Sequence, residues 1–226
     1  MNTRNLLAIA TLILIASCSK KDDSAPTPQT DKYLNTTAGS TWDYHQTDAS
    51  GPTPVNTDYT LTSTANDTTI SGRTYHIYSN SGSGNQYITV SGNDYYQFDS
   101  LPAGLGTAVF ERLYLKDNVN AGTTWTQNLN VTVTGSPIPI PITVTYTVAE
   151  KGISRTVGSD NYANVIHMTT SISSSLIPSA SLTTAIDSYY AEKYGLIENS
   201  TIVHLDYLGI TEDVNVKTTL VSATIL

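Results

Sequence analysis

From Tyr33 onward, apolar and polar residues alternate in short runs broken by Gly, Asn, Asp and Pro. A period of two places alternate side chains on opposite faces of an extended chain, the mark of a half-buried β-strand. The pattern predicts strands at Trp42–Gln46, Asp58–Ala65, Thr74–Ser79, Gln86–Ser91 and Asp94–Asp99. Further strands fall at Val109–Leu115, Leu129–Thr134, Ile142–Glu150, Ile153–Val157 and Tyr162–Ser173. The last set is Ser188–Tyr194, Leu196–Glu198, Thr201–Leu208 and Val214–Ile225. Asn80-Ser81-Gly82-Ser83-Gly84-Asn85 and Ser91-Gly92-Asn93-Asp94 read as hairpin connections, because Gly and Asn tolerate positive φ. Short strands at regular spacing with tight turns indicate an all-β domain, a meander of antiparallel strands.

The landmarks of this pattern recur. Ala38-Gly39-Ser40-Thr41-Trp42 returns as Ala121-Gly122-Thr123-Thr124-Trp125. Gly72 and Tyr75-His76-Ile77 follow the first tryptophan, while Gly158, Tyr162 and Val165-Ile166-His167 follow the second. Tyr95-Tyr96 closes one unit and Tyr189-Tyr190 the other. A shared order at similar spacing predicts a duplicated unit of about eighty residues, each supplying half of one sheet. The alternative is coincidence among common turn residues.

Composition agrees with the strands. Thr, Ser, Tyr, Val and Ile dominate, and fifteen tyrosines stand against two phenylalanines, a choice suited to a pleated, half-wet surface. The net charge of −8 opposes binding to nucleic acid and to anionic lipid. With a single cysteine in the chain, the domain must rest on its own core rather than on disulfides.

That cysteine lies in the leading segment. Residues 6–16 are apolar except for Thr11, too short to span a bilayer, and Ile15-Ala16-Ser17-Cys18 ends the run. Large aliphatic, small, small, Cys resembles the lipobox of bacterial lipoproteins. The resemblance implies cleavage before Cys18 and acylation of its thiol and new amino group, which anchor the chain without spanning the membrane. Ser19-Lys20-Lys21-Asp22-Asp23 resembles the surface-export signal of Bacteroidota lipoproteins, implying passage through the lipoprotein export machinery to the outer face of the outer membrane. A solvated charged tether on the periplasmic side is the alternative. The expected organisation is a signal peptide at 1–17, a lipidated tether at 18–32 and one β-domain at 33–226. The Pro-rich stretch Ser24–Asp31 of the tether would reach about 25 Å when extended.

Tyr189-Tyr190-Ala191-Glu192-Lys193-Tyr194-Gly195-Leu196-Ile197 resembles a Tyr-Tyr-Ala-x-x-x-Gly-Leu-Ile segment of many uncharacterised bacterial lipoproteins, and the Gly-x-x-Trp opening is similar to theirs. The resemblance implies a curved antiparallel sheet or half-barrel. The strand pattern breaks from Leu176-Ile177-Pro178 through Ile186, where Leu182, Ala185, Ile186 and Tyr189 fall at helical spacing. This predicts one short helix or an irregular flap, with Leu176, Ile177, Leu182 and Ile186 facing either a ligand or a plain core. Ser136-Pro137-Ile138-Pro139-Ile140-Pro141 reads as a stiff hairpin tip that folds back over an open end of the sheet or offers Ile138 and Ile140 to a partner.

Motifs for catalysis are scarce: the chain lacks Gly-x-Ser-x-Gly, His-Glu-x-x-His and a phosphate-binding Gly-rich loop. Asp117–Gly122 is a turn rather than a calcium loop, since Val119 stands where a ligand oxygen is needed. Of the four histidines, His45 and His204 each have an aspartate two residues away, Asp43 and Asp206, and i and i+2 share a strand face. Each pair could offer two metal ligands. The alternation Val203, Leu205, Tyr207 instead places those three inward and leaves His204 and Asp206 to solvent. Asp-Ser and Asp-Thr triplets such as Asp67-Thr68-Thr69 resemble O-glycosylation sites but occur about as often as chance gives.

The sequence therefore predicts a lipid-anchored, non-enzymatic binding module for an apolar molecule or a glycan, with no cofactor, no metal, no nucleic-acid partner and no catalytic residues. A scaffold or adhesin using the Tyr-rich sheet face without a pocket is the alternative, ahead of a hydrolase assembled from distant strands.

Overall fold

A computed structural model of the chain describes residues 33–100, 109–132, 139–207 and 209–226. Within them lie twelve strands and no helix. The strands are β1 Thr41–Asp48, β2 Val55–Ile70, β3 Arg73–Asn80, β4 Gln86–Ser91, β5 Asp94–Ser100 and β6 Val109–Lys116. They continue as β7 Thr124–Val131, β8 Ile140–Val157, β9 Asp160–Ser174, β10 Leu182–Ala191, β11 Gly195–Tyr207 and β12 Ile210–Thr224. All belong to one antiparallel sheet in the order β6-β5-β4-β3-β2-β1-β12-β11-β10-β9-β8-β7. Two six-strand meanders are thus joined where the first strand pairs with the last, from Thr41↔Thr224 to Asp48↔Val216. The sheet curls until β6 and β7 approach, giving a nearly closed barrel, further closed than the half-barrel expected.

At that seam no ladder forms between β6 and β7. Side chains of β7 bind the β6 backbone instead. The Trp125 indole donates to the Leu113 carbonyl (2.8 Å), and the Gln127 amide donates to the Glu111 carbonyl (2.8 Å) while accepting from Leu113 N–H (3.2 Å). Peptide groups that would otherwise be an unsatisfied sheet edge are partnered this way.

The two halves share their opening turn. Gly39 N–H donates to Ser63 C=O, Ser63 N–H to Ser40 C=O, and Ser40 N–H to Thr37 C=O. In the second half Gly122, Val148, Thr123 and Asn120 make the same three bonds. Both glycines need φ near +90°, at 89° and 87°, which explains the shared Gly-x-x-Trp. Trp42 and Trp125 each occupy the second position of their strand, but Trp42 is buried and Trp125 only half-buried. The other landmarks align less well. His76 and His167 lie on the third strand of each half yet one residue out of step with Tyr78 and Met168, which face Ser63 and Val148. Tyr95-Tyr96 lies on the fifth strand of its half and Tyr189-Tyr190 on the fourth, so these pairs are not equivalent.

Other strand expectations merge. Ile142–Glu150 and Ile153–Val157 are one strand, β8, whose ladder with β9 survives through register shifts around Gly152. Leu196–Glu198 and the stretch from Thr201 to Tyr207 likewise fall on β11, and Leu208 lies outside the described residues. The helical spacing at Leu182–Tyr189 is overturned, for Leu182–Ala191 is strand β10, paired with β9 and β11. Backbone pairing on both sides outweighs a four-residue periodicity. Of the Pro-rich tip, Ser136, Pro137 and Ile138 lie outside the described residues. Ile140 is buried at the start of β8, opposite Val131.

Candidate functional site

The curled sheet encloses a cavity of about 750 Å³, walled by strands of both halves. Its floor lies at the end where β1 begins. There Tyr33, 5% exposed, donates its hydroxyl to Asn164 C=O (2.9 Å) and sets its ring edge-on to Tyr95. Tyr78 donates to Asn35 C=O (2.8 Å), and Tyr44 to Leu196 C=O (2.8 Å). These bonds pin the segment leading into β1 across the barrel end. Burial, helped by nearby Glu192 and Asp117, pushes the Tyr33 hydroxyl up to about 12, and burial carries Tyr44 and Tyr114 well above the usual range. The phenols therefore remain neutral donors and present ring faces to the cavity.

Those rings pack against each other. Trp42 meets Tyr78 edge-on at 5.9 Å, Tyr44 stacks on Tyr59 at 5.3 Å, and Tyr114 lies against Tyr190 at 5.4 Å. The Trp42 indole N–H is buried without a hydrogen-bond acceptor among the described residues.

Away from the floor, the lining of the first half turns polar strand by strand. Trp42 and Tyr44 give way to Gln46 and Asp48 on β1, Leu61 and Tyr59 to Thr57 on β2, and Tyr78 to Asn80 on β3. Ile88 gives way to Gln86 on β4, and Tyr114 to Arg112 on β6, with Phe110 beyond it; the Arg112 guanidinium donates to Gln97 of β5 (2.8 Å). The second half carries more aliphatic lining, with Val144, Ile172, Ile186, Val214 and Val216, although Thr218 stands opposite Gln46 and Asn199 opposite Thr218. Three of its polar lining groups bond to one another: Asn199 donates to Ser188 Oγ (2.9 Å) and Thr201 to Asn199 (3.0 Å). Asp48, Glu212 and Asp213 stand at the rim. The cavity therefore has an aromatic floor, one polar wall, one aliphatic wall and an acidic rim.

Of the four predicted flap residues, only Ile186 lines this cavity. Ile177 and Leu182 are buried in the core, and Leu176 is 44% exposed on the turn between β9 and β10. Cys18 and Ser19, Lys20, Lys21, Asp22 and Asp23 lie outside the described residues. Composition points to Tyr only as a strand former and does not single out the glutamines; the signal that finds both is the inward series Trp42-x-Tyr44-x-Gln46-x-Asp48.

The histidines face neighbouring strands rather than residues two positions along. His45 pairs with Asp58 and His204 with Asp213, each at 2.6 Å, His76 with Asp67 at 2.8 Å, and His167 bridges Glu150 (3.0 Å) and Asp187 (2.7 Å). In every case a carboxylate stands directly opposite in the ladder. Asp43 instead accepts from Thr60 and Ser222, which hold its carboxyl below the usual range. His204 and Asp206 are exposed while Val203 and Leu205 are buried, as the alternation predicts. Among the described residues no three His, Cys, Asp or Glu side chains are grouped to hold a metal ion.

No protein-family model matches the chain, and no curated protein matches it. Among solved structures the chain is similar to a "putative lipoprotein" from Parabacteroides distasonis, at 10% identity and a TM-score of 0.48, covering 85% of this chain and 98% of that one.

Proposed function

We propose that this chain is a lipid-anchored protein of the outer membrane, displayed at the cell surface, whose barrel binds a small molecule without transforming it. The observation that carries the reading is the cavity of about 750 Å³, within the size range of small-molecule sites. Rings and aliphatic groups on its floor suit an apolar ligand, and amides on one wall suit the hydroxyls of a glycan. Anchoring rests on the sequence alone, on the lipobox-like Ile15-Ala16-Ser17-Cys18, with Ser19-Lys20-Lys21-Asp22-Asp23 as the address. The acidic net charge favours no nucleic-acid partner.

The test has two arms. Cys18→Ala should move the protein from the membrane fraction to the soluble one, and persistence in membranes after a high-salt wash would defeat the lipoprotein reading. Protein purified from its own cells, denatured and analysed by mass spectrometry should release a bound small molecule. Thr170→Trp, which places an indole in the cavity, should release none while keeping the wild-type unfolding midpoint. Equal yields from both proteins would contradict the binding reading.

A further inference from the structure

The uneven lining narrows the ligand's chemistry, and this step rests on the cavity being the binding site. We propose that the cavity takes a single-chain amphiphile with an uncharged, hydroxyl-bearing head. Its apolar body seats against the floor at Trp42 and Tyr190, beside which the Tyr44 and Tyr78 hydroxyls already donate to backbone carbonyls. A polar body placed there would be desolvated with few partners, at a cost for each unpaired group.

The head lies among the lining amides of Gln46, Gln86 and Gln97. Side-chain amides both donate and accept, so they suit hydroxyls and esters, which do the same. Head charge is decided by what faces that level. Arg112 is the one cation among the described lining residues, and its guanidinium engages Gln97. Against it stand Asp48, Glu212 and Asp213 at the rim, with Asp213 tied to His204, on a chain of net charge −8. An anionic head entering past this rim meets like charge both near and far. A free glycan gains from the amides but leaves the aromatic floor and the aliphatic wall of β8–β10 uncovered.

Calorimetric titration below the micelle concentration tests the assignment with monolaurin, laurate and maltose as probes. Monolaurin and laurate share one acyl chain and differ in head charge. Monolaurin should bind one per barrel, and laurate about tenfold or more weaker, with the gap narrowing as salt rises and screens the rim. Maltose should show no heat of binding. Gln86→Leu should weaken monolaurin at least about threefold, as expected for a lost neutral hydrogen bond. Laurate binding as tightly as monolaurin, or maltose binding more tightly than both, overturns the head assignment while leaving a binding cavity in place. If no probe binds although protein from its own cells releases a small molecule, the head assignment falls; if it releases none either, the binding reading falls and takes the proposal with it.

Discussion

The turns that open β1 and β7 share three backbone hydrogen bonds and a left-handed glycine, yet their tryptophans do different things. Trp42 is 3% exposed, lines the cavity and leaves its N–H unpaired. Trp125 is half-buried, stacks on Tyr146 at 5.8 Å and donates its N–H across the seam to Leu113. The neighbouring strand accounts for the difference. β1 has a laddered partner in β12, so its edge is satisfied by backbone and its indole is released to the interior. β7 has no laddered partner on that side, so indole and amide side chains supply what a ladder would. The same backbone turn thus leads into the cavity floor in one half and into the closure in the other.

The largest expected effect breaks this contrast at the tryptophans. Trp42→Ala should cost about 3–5 kcal/mol, the range for deleting a large buried aromatic. Trp125→Ala should cost less, roughly 1–3 kcal/mol for partial burial and one bridging bond. It should also speed hydrogen exchange at residues of β6, which Trp42→Ala should not do selectively. Denaturant unfolding and exchange measured on both variants decide the matter; equal costs without selective exchange would mean the closures are not distinct.

A smaller effect sharpens the equivalence of the turns. Gly39→Ala and Gly122→Ala should each cost about 1–2 kcal/mol, because both positions sit at φ values that L-residues avoid. A Cβ at Gly122 meets open space, whereas one at Gly39 comes within 3.0 Å of the Leu226 side chain. Since that side-chain end can move aside, Gly39→Ala should exceed its twin by only a few tenths of a kcal/mol. Costs differing by several kcal/mol in denaturant unfolding would show that the turns bear unlike strain.

Much of this plan was written in alternation and glycine placement. Val203 and Leu205 inside with His204 outside, and the paired Gly-x-x-Trp turns, follow from local pattern alone. Closure did not, because the pairing of Thr41 with Thr224 depends on register across the whole chain. β10 is not legible because Leu182, Ala185 and Ile186 satisfy a helical period over a stretch too short to separate it from a strand. Its true inward series is Ile186, Ser188 and Tyr190, two apart. The cavity was illegible for a related reason. Alternation tells that a strand has two faces, but not whether the inner faces touch or surround a space.

The central claim is that the barrel interior, and Trp42 within it, receives the ligand. Steady-state tryptophan fluorescence during a monolaurin titration tests it directly, using wild type, Trp42→Phe and Trp125→Phe. Only two tryptophans are present, so each variant reports on the other alone. The account predicts a saturable change in wild type and Trp125→Phe, and a flat titration in Trp42→Phe. A saturable change that survives in Trp42→Phe and vanishes in Trp125→Phe would place binding at the seam and contradict it.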